Sequence, residues 1–232
     1  MLGTLVAARM LSPSVRELTI DPGQNLDFAP GQWVNVYAPF FDGDERVRRA
    51  YSIANAPRAD GVFSIAVTRV PFGRVSGWLG DLALGSSIEI SPPQGHFVLS
   101  PVVRPVIFIA TGSGVAPFRA MIESLTASPP TFPMVLLHGV RTEADALYGE
   151  ELSAYARANP RFTYEVTLSR GASDWTGRRG HVQGHLSELS RPFGGELDAY
   201  VCGLSRMVDE VRARLRGELG VDRKRVHVER YD

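Results

Sequence analysis

The apolar residues of this chain follow two rhythms. Up to about residue 99 they alternate with polar ones, the period of a strand with one buried face. Alternation is clear over residues 15–20, 33–37 and 61–69, and further short strands are expected over residues 49–54 and 86–90. Turn residues separate these stretches, at Asp21-Pro22-Gly23, Pro30-Gly31, Ala56-Pro57 and Ser91-Pro92-Pro93. Short strands punctuated in this way predict a small antiparallel β-barrel, interrupted by one short helix over residues 76–82. After Pro101 the apolar residues come in unbroken runs instead. Strands are expected over residues 106–110, 134–139, 162–168, 198–202 and 225–228. Helices at 3.6-residue spacing fall between them, over residues 117–126, 149–158, 182–188 and 205–219. That alternation is the signature of a parallel sheet covered by helices on both faces. The pattern therefore reads as two domains, an antiparallel β-barrel over residues 1–100 and an α/β parallel-sheet domain over residues 101–232, with the boundary near residues 100–104.

The sharpest local feature is V-I-F-I-A-T-G-S-G-V-A-P-F-R, residues 106–119. A buried strand stops at Thr111-Gly112-Ser113-Gly114, and Pro117 sits where a first helical turn accepts it. A glycine turn at the head of a helix lets a phosphate approach backbone N–H groups and the positive end of the helix dipole. The spacing is not G-x-G-x-x-G, no Lys-Ser/Thr of a P-loop follows, and a plain strand-to-helix turn would look the same. In open parallel sheets, ligands lie beyond the carboxyl ends of the strands. That edge would carry residues 111–114, 138–141, 169–170 and 202–203, so four loops with suitable chemistry would meet there.

Composition narrows the partners. The 232 residues are 44% hydrophobic and 22% charged, with a formal net charge of zero, an ordinary globular balance. The absence of a basic stripe argues against nucleic acid or an anionic membrane as the main partner. No apolar stretch approaches a membrane span, and residues 1–10 lack the charged start of a signal peptide, so a cytoplasmic location is expected. Cys202 is the single cysteine, which rules out an internal disulfide and a four-cysteine iron–sulfur cluster within the chain. Electron transfer here would need an organic cofactor. His138, His181, His185 and His227 form no convincing ligand spacing, so no metal site is expected.

Several short motifs, taken together and in order, resemble the ferredoxin–NADP reductase superfamily, most closely the compact bacterial flavodoxin/ferredoxin reductases and the reductase modules of dioxygenases. They are Arg49-Ala50-Tyr51-Ser52, Gly73-Arg74-Val75-Ser76, the glycine turn with Val115-Ala116-Pro117, Cys202-Gly203 and the late aromatic Tyr231, one residue ahead of Asp232. The resemblance implies an FAD-dependent NAD(P)H oxidoreductase that passes electrons to a one-electron carrier such as ferredoxin or flavodoxin. An electron-transfer subunit of a larger redox complex, a free-flavin reductase, or a nucleotide-binding module without flavin are the alternatives.

The resemblance also implies roles. Arg49 would meet the flavin phosphate, Tyr51 would pack on the isoalloxazine, and Ser52 would hydrogen-bond near its N5, with Ala50, Ile53 and Thr68 beside them. A guanidinium suits phosphate and an aromatic face suits a flat ring. Gly73, Arg74, Val75 and Ser76 would form a second phosphate site, with Ser76 capping the helix. These sites suit FAD, with FMN the alternative. Thr111, Gly112, Gly114 and Pro117 would take the nicotinamide dinucleotide, with Arg141 nearby. Cys202 and Gly203 would lie beside the nicotinamide, and Tyr231 would cover the flavin until the nicotinamide displaces it. Ser169, Arg170 and Arg178 would read the adenosine ribose. A cationic pair there favours the 2′-phosphate of NADPH, whereas Trp175-Thr176-Gly177-Arg178 resembles NADH-using dioxygenase reductases, so NADH stays the alternative. A monomer is expected.

Overall fold

The computed structural model describes residues 1–231; Asp232 lies outside the described residues. It divides into two compact units. One comprises Met1–Leu99 together with Ala116–Ser124, the other Ser100–Val115 together with Leu125–Asp232.

The first unit holds strands β1 (Leu2–Ser12), β2 (Val15–Asp21), β3 (Trp33–Asp42), β4 (Glu45–Ser52) and β5 (Phe63–Thr68), then helix α1 (Arg74–Asp81) and strand β6 (Ser87–Ile90). The strands form one antiparallel sheet in the order β4-β3-β6-β1-β2-β5. An isolated bridge between Ile53 and Ile65, with Ala54 N–H donating to Ser64 O at 2.8 Å, joins the two edge strands. The bridge draws the two ends of the sheet together and covers part of the edges that would otherwise invite aggregation. Leu5, Leu18, Ile20, Val34, Val36, Ile53, Phe63 and Ile65 fill the interior. α1 plugs one end through the buried Val75 and Leu79.

The strands expected from alternation are present, but β1 gave no such signal. Its sequence L-G-T-L-V-A-A-R-M-L-S does not alternate, and Leu2, Val6 and Met10 face solvent. Pairing with β2 and β6 makes it a strand. The short helix begins at Arg74, two residues earlier than expected. Gly73 is its extended N-cap and carries no side-chain cap. Ser76 is thus inside the first turn, where its hydroxyl accepts from Val70 N–H at 3.1 Å and donates to Gly73 O at 3.3 Å. The expectation that Ser76 caps the helix is corrected: the hydroxyl secures the incoming loop instead.

The second unit contains β7 (Val106–Thr111), β8 (Met134–Val140), helix α3 (Gly149–Ala158), β9 (Phe162–Leu168), the two-residue β10 (Arg178–Arg179), helix α4 (Leu186–Ser190), β11 (Asp198–Leu204), helix α5 (Ser205–Gly217) and β12 (Val226–Tyr231). Helix α2 (Ala116–Ser124) follows β7 in sequence but clusters with the first unit. The sheet is wholly parallel, in the order β10-β9-β8-β7-β11-β12. The helix expected over residues 182–188 is instead a 3-10 turn, Val182–His185, running into the short α4. β10 was not foreseen, being too short to carry any period. Among the described residues no helix is long and apolar enough to cross a membrane.

Within the first unit, α2 buries Phe118, Ala120, Met121 and Ile122, and Phe118 lies 5.8 Å from Phe97, centroid to centroid. Its polar face grips the chain just beyond β4. Arg119 Nη1 donates to Ala54 O at 2.7 Å, and Glu123 Oε2 accepts from Ala56 N–H at 2.9 Å. Phe63 is wholly buried in the same core cluster as Ile53 and Ile65. Truncating it as Phe63→Ala should cost about 3–5 kcal/mol, measured as a fall in the urea midpoint at unchanged slope.

Candidate functional site

The parallel sheet reverses its winding direction at one place. From β7 the chain moves to β8, β9 and β10 on one side, while β11 and β12 lie on the other. Such a switch point opens a crevice beyond the carboxyl ends of the two central strands. In register, Ala110 of β7 stands opposite His138 of β8 and Cys202 of β11. The residues beyond these positions are therefore the crevice wall.

Two backbones come unusually close there. A Cβ on Gly114 would collide with the Cys202 carbonyl, and one on Gly203 would collide with the Thr111 side chain and reach 2.8 Å from Met207 Cε. Gly203 also has φ +151 and Gly112 has φ +53, conformations that disfavour side chains. Nothing lies within 4 Å of where a Gly112 Cβ would be, so at that glycine the turn faces open space. Thr111 Oγ1 is buried with no hydrogen-bond partner among the described residues. A buried orphan hydroxyl is costly unless a ligand completes it. A side-chain-free cradle and an unsatisfied hydroxyl fit a nucleotide phosphate.

His138 fixes the shape of this turn from beneath. It is fully buried, and its Nε2 lies 2.9 Å from Gly112 O. A carbonyl only accepts, so Nε2 carries the proton, and Nδ1 accepts from the Tyr164 hydroxyl at 3.3 Å. Burial pushes the imidazole down to about 4, with the Gly112 bond opposing the shift. The ring is neutral and structural, and nothing in the motifs singled it out. The signal was a lone histidine inside the apolar run of β8, whose residues are all buried.

Cys202 lies at the crevice, fully buried. Burial raises its thiol well above the usual value, Glu229 adds to the shift, and a hydrogen bond with Tyr231 opposes it. A thiol so placed is no nucleophile. Tyr231 ends β12, opposite Leu204. Pro117 is buried in the first turn of α2.

The loops after β8 and β9 are joined. Ser169 N–H donates to Val140 O at 3.0 Å and Arg170 N–H to Arg141 O at 2.8 Å. Arg141 and Arg170 are exposed, and among the described residues neither guanidinium is paired with a carboxylate. Arg178 behaves differently. It forms a two-pronged pair with Glu188 at 2.7 and 2.9 Å, and its Nε donates to Glu165 at 3.2 Å. The expectation of a second open cation at Arg178 is corrected, because these carboxylates already occupy its donors. Arg179 donates to the carbonyls of Gly171, Ala172, Ser173 and Trp175 and so sets the loop that follows Arg170.

In the first unit the candidate residues gather along β4 and the start of α1. Arg49 and Ala50 are exposed, Tyr51 is half-buried, and Ser52 and Ile53 are buried. Tyr51 stands opposite Val34, and Arg49 opposite Val36. Burial pushes the Tyr51 phenol up to about 12, and the Arg49 charge pulls the other way. Thr68 ends β5. Gly73 leaves the α1 N–H groups without a side-chain cap, and no acidic residue lies in the first turn. Arg74 follows, its guanidinium 4.4 Å over the Phe40 ring, and Phe40 in turn packs edge-on against Trp78 of α1 at 6.5 Å. Uncapped donors beside a cation and an exposed guanidinium on β4 fit a phosphorylated flavin.

Comparison with known proteins agrees with both halves of this geometry. Residues 3–99 match the oxidoreductase FAD-binding domain and residues 108–213 the oxidoreductase NAD-binding domain. The chain is 46% identical to ferredoxin–NADP reductase B of Sorangium cellulosum, over 98% of its own length and 96% of that protein's. It is 32% identical to the toluate 1,2-dioxygenase electron transfer component of Pseudomonas putida, over 96% of its length, and spans 65% of that protein. Among solved structures it resembles the ferredoxin reductase in carbazole 1,9a-dioxygenase, with a TM-score of 0.88 and 26% identity, over 100% of this chain and 69% of that one. The chain belongs to the ferredoxin–NADP reductase superfamily. It is an oxidoreductase with an FAD-binding and a nicotinamide-nucleotide-binding domain.

The buried imidazole gives this edge a pH signature. Unfolded His138 titrates near its usual 6.5, whereas the folded group titrates near 4. Between these values the unfolded chain binds more protons, so stability falls as pH drops from about 6.5 to 4. The loss should approach about 3 kcal/mol. His138→Gln keeps a donor for Gly112 and removes the titration. Its urea midpoint should be lower than wild type at pH 7 but flatter across this window.

Proposed function

We propose that this protein takes reducing equivalents from NADPH onto FAD and delivers them singly to a small carrier protein of the ferredoxin or flavodoxin type. The observation that carries the reading is the pairing, in one chain, of a glycine cradle at a parallel-sheet switch point with an uncapped, cation-flanked helix start beside β4. The 46% identity to a ferredoxin–NADP reductase over nearly the full length of both proteins supports the acceptor class. In this reading residues 1–100 carry the flavin and residues 101–232 the coenzyme, in a cytoplasmic monomer.

Bound FAD supplies the conversion between the two-electron coenzyme and a one-electron carrier. The chain's own residues bind and orient. Arg49 pairs with the flavin phosphate. Tyr51, protonated throughout the physiological range, offers its ring face, and Ser52 its hydroxyl, with Ala50, Ile53 and Thr68 completing the wall. Gly73, Arg74, Val75 and Ser76 present N–H groups and charge to the second phosphate. Thr111, Gly112 and Gly114 hold the coenzyme diphosphate at the cradle, and Thr111 Oγ1 gains the partner it lacks. Cys202 and Gly203 give a small, uncharged wall against the nicotinamide, and Tyr231 acts as the aromatic that yields to it. No protein acid or base is required, only placement.

The preference for NADPH rests on Arg170, assisted by Ser169 and Arg141. Arg178 contributes indirectly, since its carboxylate pairs anchor the strand that follows the loop. A guanidinium on a ribose phosphate is worth roughly 1.5–3 kcal/mol. Arg170→Ala should therefore raise the KM for NADPH about 10- to 100-fold and leave that for NADH unchanged; equal effects on both would remove the coenzyme assignment. The purified protein should show flavin absorption that bleaches under anaerobic NADPH. A protein that stays colourless after FAD is added would overturn the function.

A further inference from the structure

The glycine turn after β7 rests on two residues of β8. Gly139 pairs with Thr111 in register, and a Cβ on it would crowd the Thr111 methyl at 3.3 Å. Glycine at 139 therefore lets β8 lie close under the start of the turn. His138, one residue earlier, reaches the next peptide, where its Nε2 donates to Gly112 O at 2.9 Å. Gly112 itself offers little resistance to rotation. Its φ is +53, and nothing lies within 4 Å of where a Cβ would stand. The imidazole thus fixes which way the Gly112–Ser113 peptide faces.

That direction matters to a ligand. A trans peptide is planar, so its N–H points opposite its C=O. With the Gly112 carbonyl turned onto His138, the Ser113 N–H points away from the ring. It lies in the first turn of the 3-10 segment Gly112–Val115, where N–H groups lack an acceptor within the helix. Rotating the peptide would put a carbonyl oxygen in place of this donor, and a carbonyl oxygen repels phosphate.

The ring is held in turn by Tyr164 of β9, whose hydroxyl donates to His138 Nδ1 at 3.3 Å. Tyr164 pairs with Leu136, two residues before His138, so both side chains lie on one face of the sheet. The head of α3 backs the phenol, with Tyr164 Oη 3.8 Å from where a Gly149 Cβ would stand. Burial raises the phenol above its usual value, so it remains a donor. Donation to Nδ1 keeps the ring proton on Nε2, the nitrogen that meets the carbonyl. The opposite tautomer would set a lone pair against Gly112 O.

We propose that Tyr164 and His138 are positioning residues for the nicotinamide coenzyme, acting in series to keep the Gly112–Ser113 peptide turned with its N–H toward the coenzyme diphosphate. The proposal rests on the reading that the glycine turn holds that diphosphate. It is separate from the choice of coenzyme at Arg170, because the diphosphate is common to NADPH and NADH.

The test is steady-state reduction of ferricyanide by the FAD-loaded full-length protein, with NADPH and separately with NADH. Wild type is compared with Tyr164→Phe, His138→Gln and His138→Leu, each first shown to melt cooperatively. Tyr164→Phe should raise the KM for both coenzymes by the same factor, about 3- to 10-fold, the size of one neutral hydrogen bond, with kcat unchanged. His138→Leu, which has no donor, should raise both KM values at least as much. His138→Gln, whose amide can donate to Gly112 O, should recover part of that loss. Nitrogen NMR of the labelled wild type should show His138 protonated at Nε2. Unchanged KM values in Tyr164→Phe would overturn the proposal, as would a rise for NADPH alone, equal effects of His138→Gln and His138→Leu, or a proton on Nδ1. If neither coenzyme reduces the wild type, the reading of the glycine turn fails as well. If both do and the variants keep wild-type KM values, only the positioning assignment fails.

Discussion

The second unit depends on one steric constraint, the close approach of two backbones at the carboxyl ends of β7 and β11. There is no room for a side chain at Gly114 against the Cys202 carbonyl, nor at Gly203 against Thr111. Because both strands are buried and parallel, their ends cannot splay apart without breaking the ladder that pairs Cys202 with Ala110. Glycine at these two positions lets the turn after β7 fold over the end of β11. The Gly112 carbonyl is then turned inward onto His138, and nothing lies within 4 Å of where a Cβ on Gly112 would stand. A larger residue at either contact would disturb the glycine turn and the sheet end together.

The first unit reaches a comparable result by different means. Closing the barrel at the Ile53–Ile65 bridge fixes the end of β4, and Arg119 and Glu123 of α2 then hold the carbonyl of Ala54 and the amide of Ala56. Tyr51 and Ser52 sit just before that clamp, so their positions follow from main-chain hydrogen bonds rather than from side-chain packing alone. Glu17 shows how tightly the clamp is set: its carboxylate is buried, bonded to Arg9 at 2.5 Å and 3.9 Å from Arg119. A buried carboxylate without these cations would be strongly unfavourable.

Charge placement separates structural cations from available ones. The arginines of this chain cannot be told apart by spacing, yet their surroundings differ sharply. Arg178 is saturated by Glu165 and Glu188, and Arg179 is spent on four carbonyls of one loop. Arg170 and Arg141 are left exposed at the edge where a coenzyme phosphate would arrive. Ion pairs and loop carbonyls thus hold Arg178 and Arg179 in place, while the guanidiniums of the two joined loops stay exposed.

Much of this was legible in the residues themselves. Period-two alternation and unbroken apolar runs separated the barrel from the parallel sheet, since burial of one face or of both is written directly into side-chain polarity. The glycine turn, Arg49 to Ser52 and Gly73 to Ser76 stood out because close approach and phosphate chemistry demand particular residue types. Other features depended on partners distant in sequence. β1 is a strand only because β2 and β6 pair with it. Ser76 fastens a loop instead of capping a helix because Val70 and Gly73 surround it. His138 is neutral because β8 is buried on both sides and a carbonyl from another strand end meets its ring. Local sequence determines which backbone and which chemistry are possible. Tertiary structure decided which donors are already satisfied, because hydrogen bonds and ion pairs are made with whatever the fold brings within reach.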